Sequence, residues 1–270
     1  MIRLLPVLAL LLAGCAGAGP GRGSPDDRPT VVSLNPCTDA ILAEVAEPGQ
    51  LLAISHYSKD PRASSMSAED AARVPATGGT VEEVLALDPD VVVASTFIAP
   101  ATRAALEDLG LRVVTFGGTA DVASSIAQIR ELAALLSNPE KGEVLVKRIE
   151  LALSEVADTA KPVEAALWQP GGIVPGEASL VSDILQRTGF ASYSAARGMA
   201  QADYLSLEQV VADPPQVLLV AGSEAGQRHP VLDSIDGMAR ADFDTRLIYC
   251  GGPTIIRAAR RLKTIRDTVS

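Results

Sequence analysis

The 270-residue sequence predicts an α/β protein of two lobes, each on a mostly parallel central sheet, joined by a single long helix with a ligand cleft between them. Three observations predict it. Residues 78–94 (GGTVEEVLALDPDVVVA) are written again at 204–222 (YLSLEQVVADPPQVLLVAG). At a constant offset of 126 residues, Thr80 meets Ser206, Glu82 meets Glu208, Glu83 meets Gln209, Val84 meets Val210 and Pro89 meets Pro215. Short apolar strands alternate with helices throughout, which is the pattern of a layered parallel sheet. Between the two copies lies a long helical pattern, a rigid strut rather than a floppy linker.

Composition narrows the function. With 47% hydrophobic and 21% charged residues the chain can bury one large core or two ordinary ones, and a repeat spaced by a domain's length favours two. The formal charge is −10 and no basic run or aromatic-studded basic patch occurs, which excludes nucleic acid as a partner. Aromatics make up 3% of the chain, so the cores are aliphatic and each aromatic in a loop stands out.

Taken in order, residues 1–15 carry Arg3, an apolar run from Leu4 to Leu12 and Ala13-Gly14-Cys15, too short to span a bilayer and matching an export signal. Residues 16–29 are rich in Gly, Pro and Asp and form a flexible tether. The first lobe spans 30–137. It opens with the strand VVSL, a turn at Asn35-Pro36 and a helix capped by Thr38 or Asp39. The strand LLAIS leads to the polar loop His56–Pro61, then the helical patch SAEDAARV. The first repeat copy reads as a helix capped by Thr80 with Glu83 three residues on, a proline stop and the buried strand DVVVAS. A helix around Thr102–Leu109 and the strand RVVTF complete the lobe, followed by helices over 121–136 and, after Asn138-Pro139, to about Ala157. The bridging segment is 138–160 and the second lobe 161–270. The latter holds the strand VEAALW, a Pro/Gly loop, a helix over 180–188, a polar stretch at 189–203, the second copy capped by Ser206 with Gln209, the closing strand RLIYC and a basic helix from Thr254 to Thr268.

Ligands of open α/β sheets sit outside the carboxyl ends of the strands. That rule nominates the loops at 35–38, 56–61, 95–98, 169–176 and 250–253, three from one lobe and two from the other, so that two facing rims make a cleft. The repeat leaves Glu82 and Glu208 in the first turn of each copied helix, where the helix dipole favours a carboxylate. Their matched placement in both halves points beyond helix stability.

The stretches SLNPCTD, GGTVEEVLALDPDVVVA and LSLEQVVADPPQVLLV, with the central helix, resemble the rigid-helix class of periplasmic substrate-binding proteins, which deliver cobalamin, heme and ferric siderophores to ABC importers. The resemblance covers about 29–268. It implies two Rossmann-like lobes, a monomer with no catalytic activity and no cofactor or metal of its own, and a transported ligand containing cobalt or iron. It also implies that Glu82 and Glu208 dock on arginine pockets of the importer's transmembrane subunits, where carboxylate and guanidinium pair bidentately. ISHYSKDP is closest to cobalamin-binding members, with Tyr57 matching a residue that packs on the corrin ring, whereas Thr77 and Ser95 stand where those members carry tryptophan. Leu12-Ala13-Gly14-Cys15 resembles a lipobox, which implies lipidation of Cys15 and a periplasmic protein anchored to a membrane.

The rims supply the candidate ligand-binding residues Asn35, Pro36, Cys37, His56, Tyr57, Ser95, Trp168, Gln169, Arg197, Tyr204, Cys250 and Gly251. Cys37 and Cys250 form a disulfide, remain two thiols, or give a soft ligand to a metal in the bound complex. His56 coordinates iron or cobalt, or lines the site through a hydrogen bond. Trp168 belongs to the core or to the cleft wall, and Arg197 and Tyr204 meet a ligand's polar edge or lie on the surface. No GxSxG elbow, P-loop, HExxH or Cys-x-x-Cys motif occurs. The alternatives from other classes are an envelope ligand sensor and a chelatase-type tetrapyrrole enzyme.

Overall fold

The structure, a computed structural model, describes residues 28–62, 64–158 and 160–269. The export signal, Cys15 and the tether as far as residue 27 lie outside the described residues. The chain runs β1 (Val31–Ser33), α1 (Pro36–Val45), β2 (Leu51–Ser55), α2 (Ala68–Arg73), β3 (Ala76–Thr77), α3 (Val81–Ala86), β4 (Val91–Ser95), α4 (Pro100–Asp108) and β5 (Arg112–Phe116). These strands form one parallel sheet in the order β3-β2-β1-β4-β5. After α5 (Val122–Leu135) and α6 (Pro139–Val156) come β6 (Val163–Trp168), β7 (Ile173–Val174), α7 (Leu180–Arg187), β8 (Phe190–Ser192), α8 (Tyr193–Ala196), β9 (Asp203–Tyr204), α9 (Leu207–Ala212), β10 (Val217–Val220), β11 (Ala239–Asp242) and α10 (Thr254–Thr268). The second sheet, also parallel, has the order β11-β10-β6-β8, and β7 and β9 form a small antiparallel pair. The order of connection reverses between β1 and β4 in one sheet and between β6 and β10 in the other, the positions where such sheets open a crevice at their carboxyl ends.

Both repeat copies fold as their sequences dictate. Thr80 and Ser206 each cap a helix with a reciprocal bond from Glu83 and Gln209. Val84 and Val210, the buried positions of those helices, pack on the two different sheets.

Side chains alternate across each strand, and the parity sorts them into cores. Val31, Val91, Val93, Ala165, Leu167, Val217 and Leu219 all join one core, together with the buried faces of α1, α5, α6, α7 and α10. Val32 and Val92 face a separate cluster on the first sheet, and Ala166, Leu218 and Val220 another on the second. The expectation of two ordinary cores is therefore corrected: the halves share one continuous core on their helical side, and each keeps a smaller one on its other face. The helix α6, about 27 Å long at 1.5 Å per residue, lies along that seam, in contact with α1 and α5 on one side and α10 on the other.

Two further corrections concern local structure. The cap of α1 is Asn35, whose Oδ1 accepts from Cys37 N at 3.0 Å, with Pro36 as the first helical residue. Proline suits that position because its missing N–H would have no helical partner there, so Thr38 and Asp39 fall inside the helix. RLIYC is not a strand: the edge strand is β11, and residues 245–247 form a 3₁₀ turn begun by Asp244, whose carboxylate accepts from Arg246 N. The stretch 189–203 also holds the buried strand β8.

Across the seam, Cys37 and Cys250 are joined in a disulfide with Cα atoms 5.0 Å apart. Beside it Gly252 adopts φ +63°, and a Cβ there would lie 2.5 Å from Ile41 Cγ1, so this close approach requires glycine. The bond closes a loop with a sequence separation of 213, for which the chain-entropy relation gives roughly 5 kcal/mol. We expect the Cys37→Ser/Cys250→Ser double variant to lose about 3–5 kcal/mol of unfolding free energy in guanidinium titrations. An unchanged midpoint would mean that the helical seam alone holds the halves together.

Candidate functional site

The carboxyl ends of both sheets open onto a cavity of about 590 Å³ lined from both halves: Phe97 and Gly118–Ala120 from the first, Gln169, Ile173, Gln201 and Tyr249 among those from the second. Among the described residues no charged side chain lines it. Its polar groups are amides and hydroxyls, with Gln169 Oε1 accepting from Tyr249 Oη at 3.0 Å.

The exposed aromatics gather at these ends. Tyr57 (62% exposed), Phe97 (90%) and Tyr249 (61%) stand on segments following β2, β4 and β11, and Tyr204 (60%) on β9. The chain has nine Phe, Tyr and Trp residues, so four of its scarce aromatics are left in water. Local structure aims them. Ser95 Oγ accepts from Phe97 N at 3.1 Å, setting the turn that projects Phe97. Ser55 Oγ accepts from Tyr57 N at 3.3 Å, starting the 3₁₀ turn His56–Lys59 on which the His56 and Tyr57 rings lie 4.1 Å apart. The ring of Tyr204 lies over Gly172, where a Cβ would come within 2.6 Å of it, beside the loop that follows Gln169.

The remaining sequence candidates divide. Asn35 is buried and also donates through Nδ2 to Phe116 O at 3.4 Å, pinning the ends of β1 and β5. With Pro36, it builds the rim rather than facing outward. Cys37 and Cys250 are taken up by the disulfide, so neither is a free thiol, and Gly251 packs against Ser125. Trp168 is corrected to the core: it is 3% exposed, its parity places it with Ala166, and its Nε1 donates to Leu205 O at 2.8 Å. Arg197 is corrected too. It stacks 3.3 Å over the Tyr193 ring and bonds Asp213 and Glu164 at 2.8 and 2.9 Å; Glu164 lies at the amino end of β6, away from the cleft.

Sequence reasoning missed Phe97 and Tyr249. Phe97 lies inside the nominated loop 95–98, where Ile98 packs against the first sheet's smaller cluster and Phe97 is left facing water. Tyr249 was hidden by the strand reading of RLIYC, although the aspartate two residues before Arg246 is a turn signal.

Glu82 and Glu208 are exposed on the first turns of α3 and α9. One turn further on each helix, at repeat-equivalent positions, Leu85 and Val211 are 38% and 40% exposed. Among the described residues no cluster of three His, Cys, Asp or Glu side chains is arranged to hold a metal, and no helix is long and apolar enough to cross a membrane.

A family model described as "Periplasmic binding protein" matches residues 31–241. The chain belongs to the periplasmic binding protein family. Solved structures agree in fold. The periplasmic heme-binding protein RhuT from Roseiflexus sp. RS-1 superposes with a TM-score of 0.71 at 20% identity, covering 90% of this chain and 100% of that one. The periplasmic heme-binding protein HutB of Vibrio cholerae gives 0.73 at 14% identity, with 88% and 98% covered. The periplasmic vitamin B12-binding protein BtuF of Vibrio cholerae gives 0.65 at 18% identity, with 90% and 98% covered. A search of curated proteins finds no significant match. Family membership makes this protein an exported substrate-binding component of transport, not an enzyme.

One buried group stands beneath the rim. Asp39, on α1, is fully buried, and its Oδ2 accepts from Ser58 Oγ at 2.6 Å and Ser55 N at 2.9 Å. Burial pushes its carboxyl up from 3.8 to about 7, against the lowering effect of the nearby Ser33 hydroxyl and of the hydrogen bonds from Ser58 and Ser55. A carboxyl whose folded value is raised stabilises the fold fully below its unfolded value and loses that contribution as pH rises through the folded one. Between pH 4 and 7 we expect unfolding free energy to fall by up to about 1.4 kcal/mol per pH unit from this group. Urea titrations of the parent protein and Asp39→Asn across that range check it; equal slopes in the two proteins would rule it out.

Proposed function

We propose that this periplasmic binding protein captures a bulky metal chelate, a corrinoid before heme or a ferric siderophore, and passes it to an ABC importer. The observation that carries the reading is the cleft itself: aromatic rings left in water around a lining of amides and hydroxyls without a charge. Faces of Phe97 and Tyr249, with Tyr57 on the same rim, suit a flat macrocycle. A corrin ring is edged by neutral carboxamides, for which Gln169 and Gln201 are matched donors and acceptors. Heme carries two carboxylates, and a chain of net charge −10 with no cation on the cleft lining gives them no counter-ion. The heme- and vitamin B12-binding proteins of the same fold support the ligand class. The cavity volume falls in the usual range for small-molecule sites.

Delivery runs through Glu82 and Glu208, which dock on arginines of the two transmembrane subunits. The repeat supports this, since each carboxylate is accompanied one turn on by an exposed apolar residue, Leu85 or Val211, in matching positions. A carboxylate beside an apolar contact is the make-up of a docking point rather than of a solvated helix face. The protein acts as a monomer. Leu12–Cys15 supports lipid anchoring through Cys15.

Calorimetric titration with cyanocobalamin, hemin and a set of ferric siderophores tests the ligand. We expect stoichiometric corrinoid binding, weakened about tenfold by Phe97→Ala or Tyr249→Ala. A heme or siderophore signal alone would move the ligand, and silence from all three would return the sensor reading. For delivery, Glu82→Arg/Glu208→Arg should abolish importer-dependent uptake while leaving ligand affinity unchanged; surviving uptake would refute the docking role.

A further inference from the structure

Asp39 holds the residues on either side of His56 and Tyr57. Its Oδ2 takes the amide of Ser55, just before the pair, and the hydroxyl of Ser58, just after it. Both bonds come from the segment that carries Tyr57, and Asp39 sits two residues after the disulfide-bonded Cys37. The other carboxyl oxygen, Oδ1, is buried with no hydrogen-bond partner, while the nearby Ser33 hydroxyl is engaged 3.0 Å away by Thr38.

A buried carboxyl with one oxygen unsatisfied is stable neutral and wants water when ionised. The nearest cover to lift is the 3₁₀ turn, which is bonded to the carboxyl and whose residues His56 and Tyr57 already face solvent. Among the described residues no charged side chain pairs with Asp39. On the turn, His56 points to solvent and Lys59 Nζ bonds the carbonyls of Ala71 and Val74. Glu44, further along α1, pairs with Arg148; on α2, Arg73 pairs with Glu69 and Asp70; on α10, Arg257 bonds the carbonyl of Ser65. The strand β1 offers only the hydroxyl of Ser33.

We propose that Asp39 is the positioning residue of the Tyr57 turn: neutral, it lets the turn close over it, and ionised, it draws in water and lets the turn open, so that ligand capture weakens as pH rises. The proposal rests on the reading of Tyr57 as a ligand-contacting residue, and its first test does not depend on any ligand. The raised carboxyl of Asp39 places the upper end of the transition near neutrality, the lower end lying at the ordinary carboxylate value of the opened turn.

Amide hydrogen exchange of the ligand-free protein between pH 4 and 9 reads the turn directly. Corrected for intrinsic rates, protection at Ser55 and Tyr57–Lys59 should fall with pH by up to about tenfold per unit between the ordinary carboxylate range and neutrality, and level off above about pH 7. In Asp39→Asn, neutral at every pH, protection should stay flat, and in His56→Gln it should fall as in the parent. Flat protection in the parent, or a fall that survives Asp39→Asn and vanishes in His56→Gln, would overturn the proposal. Cyanocobalamin affinity, titrated in parallel, should drop about three- to tenfold from pH 5 to 7 in the parent, stay level above that, and hold within about twofold in Asp39→Asn. Falling protection with constant affinity would overturn the link to capture. Absence of cyanocobalamin binding would instead remove the corrinoid reading, while exchange still decides the role of Asp39.

Discussion

The helical seam is the constraint on which the rest depends. Both sheets bury one face against α1, α5, α6, α7 and α10, and the buried side chains of the two halves form a single packed core. Packed cores resist continuous deformation, so the halves cannot hinge apart without exposing apolar surface shared between them. The Cys37–Cys250 disulfide ties the same seam covalently at its rim side. Val122 N donating to Asp183 and Gly252 N donating to Ser125, each at 2.8 Å, add polar ties across it. The cleft is therefore held open at a set width, which suits a rigid cargo and explains why aromatic rings can stay in water without collapsing onto one another.

Scarcity gives the cleft its character. A chain with few aromatics leaves Tyr57, Phe97, Tyr204 and Tyr249 exposed, while Trp168, Phe190 and Tyr193 are buried. The same economy applies to charge. Most arginines outside the cleft are tied to carboxylates or carbonyls, as Arg197 is to Glu164 and Asp213, and none lines the cavity. In the proposed function, recognition falls to ring faces and amides, and docking to the carboxylates on the outer helices.

Much of the fold was legible because its signals are local. A hydroxyl cap with Glu or Gln three residues on, a proline stop and a valine run name a helix and a strand whatever surrounds them, and the repeat at Thr80 and Ser206 supplied its own confirmation. Local signals failed where two compete. At Asn35-Pro36-Cys37-Thr38-Asp39 three residues can cap a helix, and proline's preference for the first helical position decided the matter. At RLIYC an apolar run suggested a strand, but the aspartate-led turn before it won.

The sequence by itself determined most of the secondary elements, the twofold repeat, the parallel sheets and the loops at their carboxyl ends, because periodicity, capping and connection rules act over a few residues. Only the tertiary structure decided which face of each strand is shared between the halves, and with it that Trp168 is core and that one core crosses the seam. It alone joined Cys37 to Cys250 and stood Phe97 and Tyr249 on the same cavity. Strand parity says that neighbours face opposite ways, but not which way is inward, and a sequence separation of 213 says nothing of the distance between two residues once the chain has folded.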